Sequence, residues 1–437
     1  MKKKNLLIFL YVLTSILLIY FLDFYIFYEF NSENFWCVEV LNFEVKFINN
    51  IKIPIHCDEG PYQTAAVSIT NFFNHENPYQ GRPLFVFLIA LLIKTFTFVS
   101  NESISDYFVF RIAMFVIQTL IIFLSSIVFV KTINKNLNNL KLFLVIFSFI
   151  SIPGIRWNIF FPSVGNITLL LFLLVIGYIS RNSHFKKNSK YFYFSLGVLS
   201  LAHLTAIVYG MICVFLIILK NKEIDFRNFI SDISKLLIFQ FLYRILISFT
   251  KYEYFDWHKE IHNQFYWIID AINHTADVYC QTFDTFLTCN FQTTYQYLSF
   301  FSIPIIYLLF LLLTSKMKNK NLPIQIHNAF SINSLIFIFW SFQGVYEPFR
   351  FVNYSIGYFI FLSIIYLYVF VFNKNYYLIF CLLTFEFSIR YLAPYNMNYT
   401  FPSLNYLTVF SFILFSLVLY SELSKNNLGI KLFKYKN

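Results

Sequence analysis

Charge is scarce in this chain. Of its 437 residues only 13% are Asp, Glu, Lys or Arg, and the acids are outnumbered 22 to 33. Glycine is scarce as well, at 10 residues, and the Gly-rich phosphate loop of nucleotide-binding proteins is missing. That excludes a nucleotide held in such a loop, so energy must come with the substrate or from an ion gradient. The chain also lacks internal repeats, a segregated soluble domain and a disordered tail beyond its basic C-terminal end.

What fills the sequence is apolar. Hydrophobic residues make up 58% and aromatics 22%, in runs that recur from end to end. A soluble fold cannot hide that much apolar surface, whereas a bilayer accepts it directly. The expected fold class is therefore all-α: a polytopic transmembrane helical protein. The net charge of +11 suggests nucleic acid only until its distribution is considered. Lys and Arg gather between apolar runs, at Lys2–Lys4, Lys131–Lys141, Arg181–Lys190, Lys220–Lys235, Lys316–Lys320 and Lys425–Lys436. Cytoplasmic loops carry such an excess, so the charge reports topology and no nucleic-acid partner is expected. The N-terminal run ends in aromatics without a small-residue cleavage pattern and reads as a retained span.

Placing every basic cluster in the cytoplasm predicts about 12 spans. They fall near 5–28, 109–130, 142–156, 164–180, 191–204, 205–220, 234–250, 297–315, 329–343, 352–373, 376–392 and 404–420, with both termini cytoplasmic. Residues 191–220 are long enough for one helix, but the parity of the basic loops favours two. Residues 84–98 are apolar yet short and carry Lys94; counting them as a span would put the Lys131–Lys141 cluster outside. They are expected to lie in the outer membrane interface. Residues 29–108 then form one large first outer loop within a single transmembrane domain, and 251–296 a second. Cys37, Cys57, Cys280 and Cys289 all fall in these two loops, where an oxidising compartment permits disulfides. Cys37 and Cys57 are close enough in sequence to pair, as are Cys280 and Cys289, and the connectivity stays open.

The chemistry concentrates in the first outer loop, where Cys57-Asp58-Glu59-Gly60-Pro61-Tyr62 is followed by Asn77-Pro78-Tyr79-Gln80-Gly81-Arg82-Pro83-Leu84. A carboxylate at the outer surface can take a proton from an attacking hydroxyl while an amphipathic donor keeps its tail in lipid. Acidic pairs are also common in solvated loops. Arg82 and Arg350 each admit two readings, as phosphate ligands or as anchors flanking an apolar segment. Arg111 is expected to pair with Asp106 or Glu102. His258 and His262 have metal-compatible spacing but not the His-Glu-x-x-His order, so no metal is assigned to them. His56 and His75 flank the acidic segment. Arg244 and Glu386 interrupt apolar runs, where charges are usually paired or functional. The acceptor triplets at Asn273 and Asn398 carry no weight in so Asn-rich a chain.

Asp58-Glu59-x-x-Tyr62, then Asn77-Pro78-Tyr79-x-x-Arg82-Pro83-Leu84 leading into an interfacial helix, resembles the opening of the GT-C membrane glycosyltransferases. These include the lipid A aminoarabinose transferases and the protein O-mannosyltransferases. Phe110-Arg111-Ile112-Ala113 is similar to the Arg that opens the next span in that superfamily. Gly197 to Thr205 resembles its short mid-chain helix, with His203 where Lys is more usual. Tyr346-Glu347-Pro348-Phe349-Arg350-Phe351 resembles its late outer loop. The echoes run in order from residue 1 to about 375, and the C-terminal soluble domain of the larger members is missing.

The resemblance implies Asp58 as general base with Glu59 in support. Tyr62, Arg82, Arg111, His203 and Arg350 are the implied substrate-binding set, Arg350 at the donor phosphate. The implied reaction moves a sugar from a polyprenyl-phosphate-linked donor to a glycan, lipid or protein acceptor at the outer face, with inversion. No cofactor is assigned; a divalent metal stays open, since donor phosphates can supply ligands. The competing readings are a repeat-unit polymerase of a surface polysaccharide, a lipid-sugar flippase or transporter, and a non-catalytic scaffold.

Overall fold

The computed structural model describes residues 2–21, 38–45, 48–56, 59–73, 81–100, 106–133, 137–150, 155, 158–160, 165–181, 189–221 and 226–249, with single positions 328, 332 and 335. The remaining expected spans and the second outer loop, 251–296, lie outside the described residues. So do Asp58, Arg350, Glu386, His75, His258, His262, Cys37, Cys57, Cys280, Cys289 and both acceptor triplets.

Helix α1 (Lys2–Phe21) turns Ile8, Val12, Ser15, Ile16 and Ile19 inward at helical spacing. Its other face is apolar too: Leu6, Leu10 and Leu17 are exposed. A helix hydrophobic all round belongs in a core or in a membrane. Helix α2 (Glu59–Val67), the short α3 (Ile69–Phe72) and α4 (Pro83–Ser100) come before α5 (Asp106–Ile133), the longest element. At 28 residues α5 runs for about 42 Å, and α1, α2, α4, α6 (Asn139–Ile150) and α7 (Gly165–Arg181) all pack on it. Asn138 caps α6, its side-chain oxygen accepting from the Lys141 backbone N–H at 2.9 Å. Phe129 of α5 stacks on Phe149 of α6 with ring centroids 4.7 Å apart.

By length and composition, two helices among the described residues are able to cross a membrane: Lys3–Phe21 (19 residues) and Tyr107–Lys131 (25 residues). The other apolar helices are shorter. Helix α4 lies against α2 and α5 through Phe85, Val86, Ile89 and Ile93, and leaves Phe87, Leu91 and Phe98 exposed.

The segment 191–220 is two helices. Helix α8 (Ser189–Ser200) ends in a turn, and α9 (Thr205–Asn221) begins after it. The turn is fastened from two sides. Gln240 of α10 (Phe226–Ser248) donates to the Ser200 carbonyl at 2.7 Å, and the Leu84 amide of α4 donates to the Leu201 carbonyl at 3.0 Å. These bonds satisfy carbonyls that a helix end leaves without intrahelical partners. Gly197 lets α8 press against the backbone of α10: a Cβ there would strike the Lys235 carbonyl oxygen. Buried Leu236 of α10 fills the space beside Gly210 of α9.

One element departs from the all-helical expectation. Within residues 29–108, expected to form the first outer loop, β1 (Val38–Val45) and β2 (Ile48–His56) form an antiparallel hairpin, in register from Val38 opposite His56 to Phe43 opposite Ile51, with an irregularity before Val45. The fold is thus helical with a two-stranded ribbon. The physical reason stands in the sequence: Ile51, Ile53 and Ile55 alternate with Lys52, Pro54 and His56, a period of two rather than 3.6. Pro54 has no N–H to donate, and a two-stranded ribbon, all edge, accommodates it.

Candidate functional site

Helix α2 places two candidate side chains one turn apart on the same face, Glu59 and Tyr62, each 1% exposed. Glu59 stands at the helix N-terminus, where backbone N–H groups favour a negative charge. Its Oε1 lies 2.8 Å from Nη1 of Arg111, and its Oε2 accepts from the Tyr107 hydroxyl at 3.0 Å. Tyr107 and Arg111 are four residues apart at the start of α5 and share one helix face. The guanidinium carbon sits 5.9 Å from the Tyr107 ring centroid. Arg111 Nη1 also donates to the Phe160 carbonyl at 3.0 Å. A buried carboxylate is tolerated here because a cation and a hydroxyl both answer it.

The expectation that Arg111 pairs with Asp106 or Glu102 is corrected: its carboxylate partner is Glu59. The bundle explains the difference. Packing α2 on α5 brings Glu59 to the guanidinium, a long-range contact that nearness in sequence does not suggest.

Tyr62 extends the cluster toward α4. Its hydroxyl accepts a hydrogen bond from Nη1 of Arg82, and its ring meets Phe85 edge-on at 5.7 Å. Arg82 stands immediately before α4, whose first turn is tied to the α8–α9 turn through Leu84 and Leu201. That turn carries His203. Its Nδ1 lies 2.5 Å from the Thr205 hydroxyl and accepts from the Thr205 backbone N–H at 3.2 Å, capping α9. An accepting Nδ1 fixes the neutral tautomer with its proton on Nε2.

Of the residues singled out in the sequence, the fold thus brings Glu59, Tyr62, Arg82, Arg111 and His203 to one end of the helices. Arg82 joins the acidic end to the histidine end. Asp58 adjoins Glu59 in sequence but is outside the described residues, as is Arg350. His56 closes β2, and Arg244 lies on α10, remote from this cluster in the chain. Among the described residues no three His, Cys, Asp or Glu side chains converge to hold a metal.

Sequence reasoning passes over Tyr107 and the Phe160 carbonyl. Only Tyr107 leaves a readable trace, as the residue one helical turn before Arg111. A second buried polar group sits at the other ends of the later helices. There Lys235 meets Asp232 at 3.1 Å, and the Tyr193 hydroxyl donates to Cys213 Sγ at 3.6 Å.

No protein-family model matches the chain, and neither the curated proteins nor the solved structures give a match.

Proposed function

We propose that this chain is a polytopic membrane glycosyltransferase of the GT-C kind. It moves one sugar from a polyprenyl-phosphate-linked donor to a glycan, lipid or protein hydroxyl at the outer face of the membrane. In this reading the chain has about 12 spans with both termini cytoplasmic, and α4 lies in the outer interface. The exposed Phe87 and Leu91 of α4 and Leu120 and Leu124 of α5 would then meet lipid.

The observation that carries the proposal is the partnership of Glu59. Arg111 and Tyr107 hold its two oxygens, one to each, which leaves it poorly suited to receive a proton. This supports the assignment that the resemblance implies, with Asp58 as the general base and Glu59 as the supporting residue that fixes Arg111. Asp58 takes the proton of the acceptor hydroxyl. The acceptor oxygen attacks the anomeric carbon from the face opposite the phosphate, forming the new C–O bond. The old C–O bond breaks with its electron pair leaving on the lipid phosphate, and configuration inverts. Tyr62, Arg82 and His203 flank the donor head group, and Arg350 remains a candidate phosphate contact. A divalent metal, if the reaction uses one, would draw ligands from the donor phosphate.

The test is mass spectrometry of surface glycans and lipid-linked intermediates from a deletion strain, complemented with wild type or Asp58→Asn. The expected result is a glycan one sugar short in both the deletion and the Asp58→Asn strain. A complete but unpolymerised repeat unit would point to the polymerase. Full restoration by Asp58→Asn would remove the base assignment.

A further inference from the structure

Arg111 is about nine-tenths buried, its side chain 10% exposed, and its hydrogen bonds are lopsided. The bonds to Glu59 and to the Phe160 carbonyl both run from Nη1. Among the described residues, Nε and Nη2 are buried with no hydrogen-bond partner. These two donors have a shape. The Nε–H and one Nη2–H point the same way along one edge of the planar guanidinium, forming a two-pronged fork spaced for two oxygens of a single oxyanion. Buried donors are normally satisfied, and an orphaned pair of this geometry is the kind of exception that a ligand explains. Glu59 and Tyr107 brace the opposite side, so the fork is held in place before any ligand arrives. Arg82, reached through Tyr62, adds a second guanidinium to the same end of the bundle.

We propose that the Nε/Nη2 edge of Arg111 binds the phosphate of the substrate, taking two of its oxygens side-on, with Glu59 as the positioning residue that orients the fork. The resemblance gives that role to Arg350; the geometry assigns it to Arg111. The fork is set by the packing of Arg111, while the choice of phosphate over carboxylate rests on the glycosyltransferase reading.

The experiment uses the full chain in nanodiscs and compares the binding of farnesyl phosphate, farnesol, palmitate and inorganic phosphate by thermal shift and native mass spectrometry. Farnesyl phosphate is expected to raise the melting midpoint and farnesol to leave it unchanged. Arg111→Lys retains a cation for Glu59 but has no fork, and should weaken farnesyl phosphate binding about tenfold or more. Melting without ligand shows whether that variant folds. If it does not, the comparison of farnesyl phosphate with farnesol on wild type decides, and equal shifts overturn the proposal. Undiminished binding by folded Arg111→Lys overturns it, as does loss of binding confined to Arg350→Gln. Tighter binding of palmitate than of farnesyl phosphate would make the ligand a carboxylate and overturn the phosphate. Inorganic phosphate bound as tightly as farnesyl phosphate would keep the fork and replace the lipid with a soluble source. Failure of the transferase reading looks different: Asp58→Asn transfers normally while Arg111→Lys still loses phosphate.

Discussion

Glu59 and Arg111 illustrate how unevenly a buried ion pair responds to the loss of its parts. Replacing Glu59 by Gln leaves a nearly buried guanidinium without its countercharge, a change expected to cost about 3–5 kcal/mol. Replacing Tyr107 by Phe removes one neutral donor from a carboxylate that keeps its cation, and should cost only about 1–3 kcal/mol. Chemical denaturation of the two purified variants checks the order, and equal losses would contradict the geometry. At this scale the sequence grouped Glu59, Tyr62 and Arg82, which stand close together in the chain, and assigned Arg111 the wrong carboxylate. The contact of Glu59 with Arg111 joins separate segments through packing, which residue spacing cannot express.

Helix ends were readable where a chemical signal marks them. Basic clusters mark one end each of α1, α5 and α7 (Lys2–Lys4, Lys131–Lys141 and Arg181–Lys190), and Asn138 opens α6 with a side chain suited to capping. The break between α8 and α9 was legible through the loop parity alone, and the structure supplies its fastening by Gln240 and Leu84. The hairpin was missed for the opposite reason. Its alternation lies inside a loop whose neighbours all follow helical periods, so the isoleucines of β2 read as part of an irregular connection. Glycines give this scale its prediction. Gly197→Ala sets a methyl group against the backbone of α10, which cannot swing aside, so α8 and α10 must move apart. The cost is expected to be about 1–3 kcal/mol. Gly210→Ala meets only the end of the Leu236 side chain, which has rotamers to choose from, and should cost less. Thermal unfolding of both variants in the same detergent measures the difference.

For the molecule as a whole, composition points to the membrane without reference to any contact. Apolar residues cover the outward faces of α1, α4 and α5, and two described helices have the length to cross. The proposed topology puts α2 on the outer side, and Gly60 offers a direct probe. It is exposed, and an added Cβ there meets nothing within 4 Å. With Cys37, Cys57, Cys280 and Cys289 replaced by serine, Gly60→Cys should react with a membrane-impermeant maleimide in intact cells. Labelling only after lysis would reverse the topology and move the proposed chemistry to the cytoplasmic face.

The turn after α8 has a consequence for how the molecule opens. Adjacent carbonyls, Ser200 and Leu201, are gripped by residues from α10 and α4, which lie far apart in the chain. Neither helix can pull away without exposing a carbonyl at the base of the other's attachment, so the two should loosen as one unit. In hydrogen exchange, the Leu84 amide and the amides around Gln240 are then expected to lose protection together. The histidine and arginine end of the site would inherit the slow breathing of a helix that contributes no candidate residue to it.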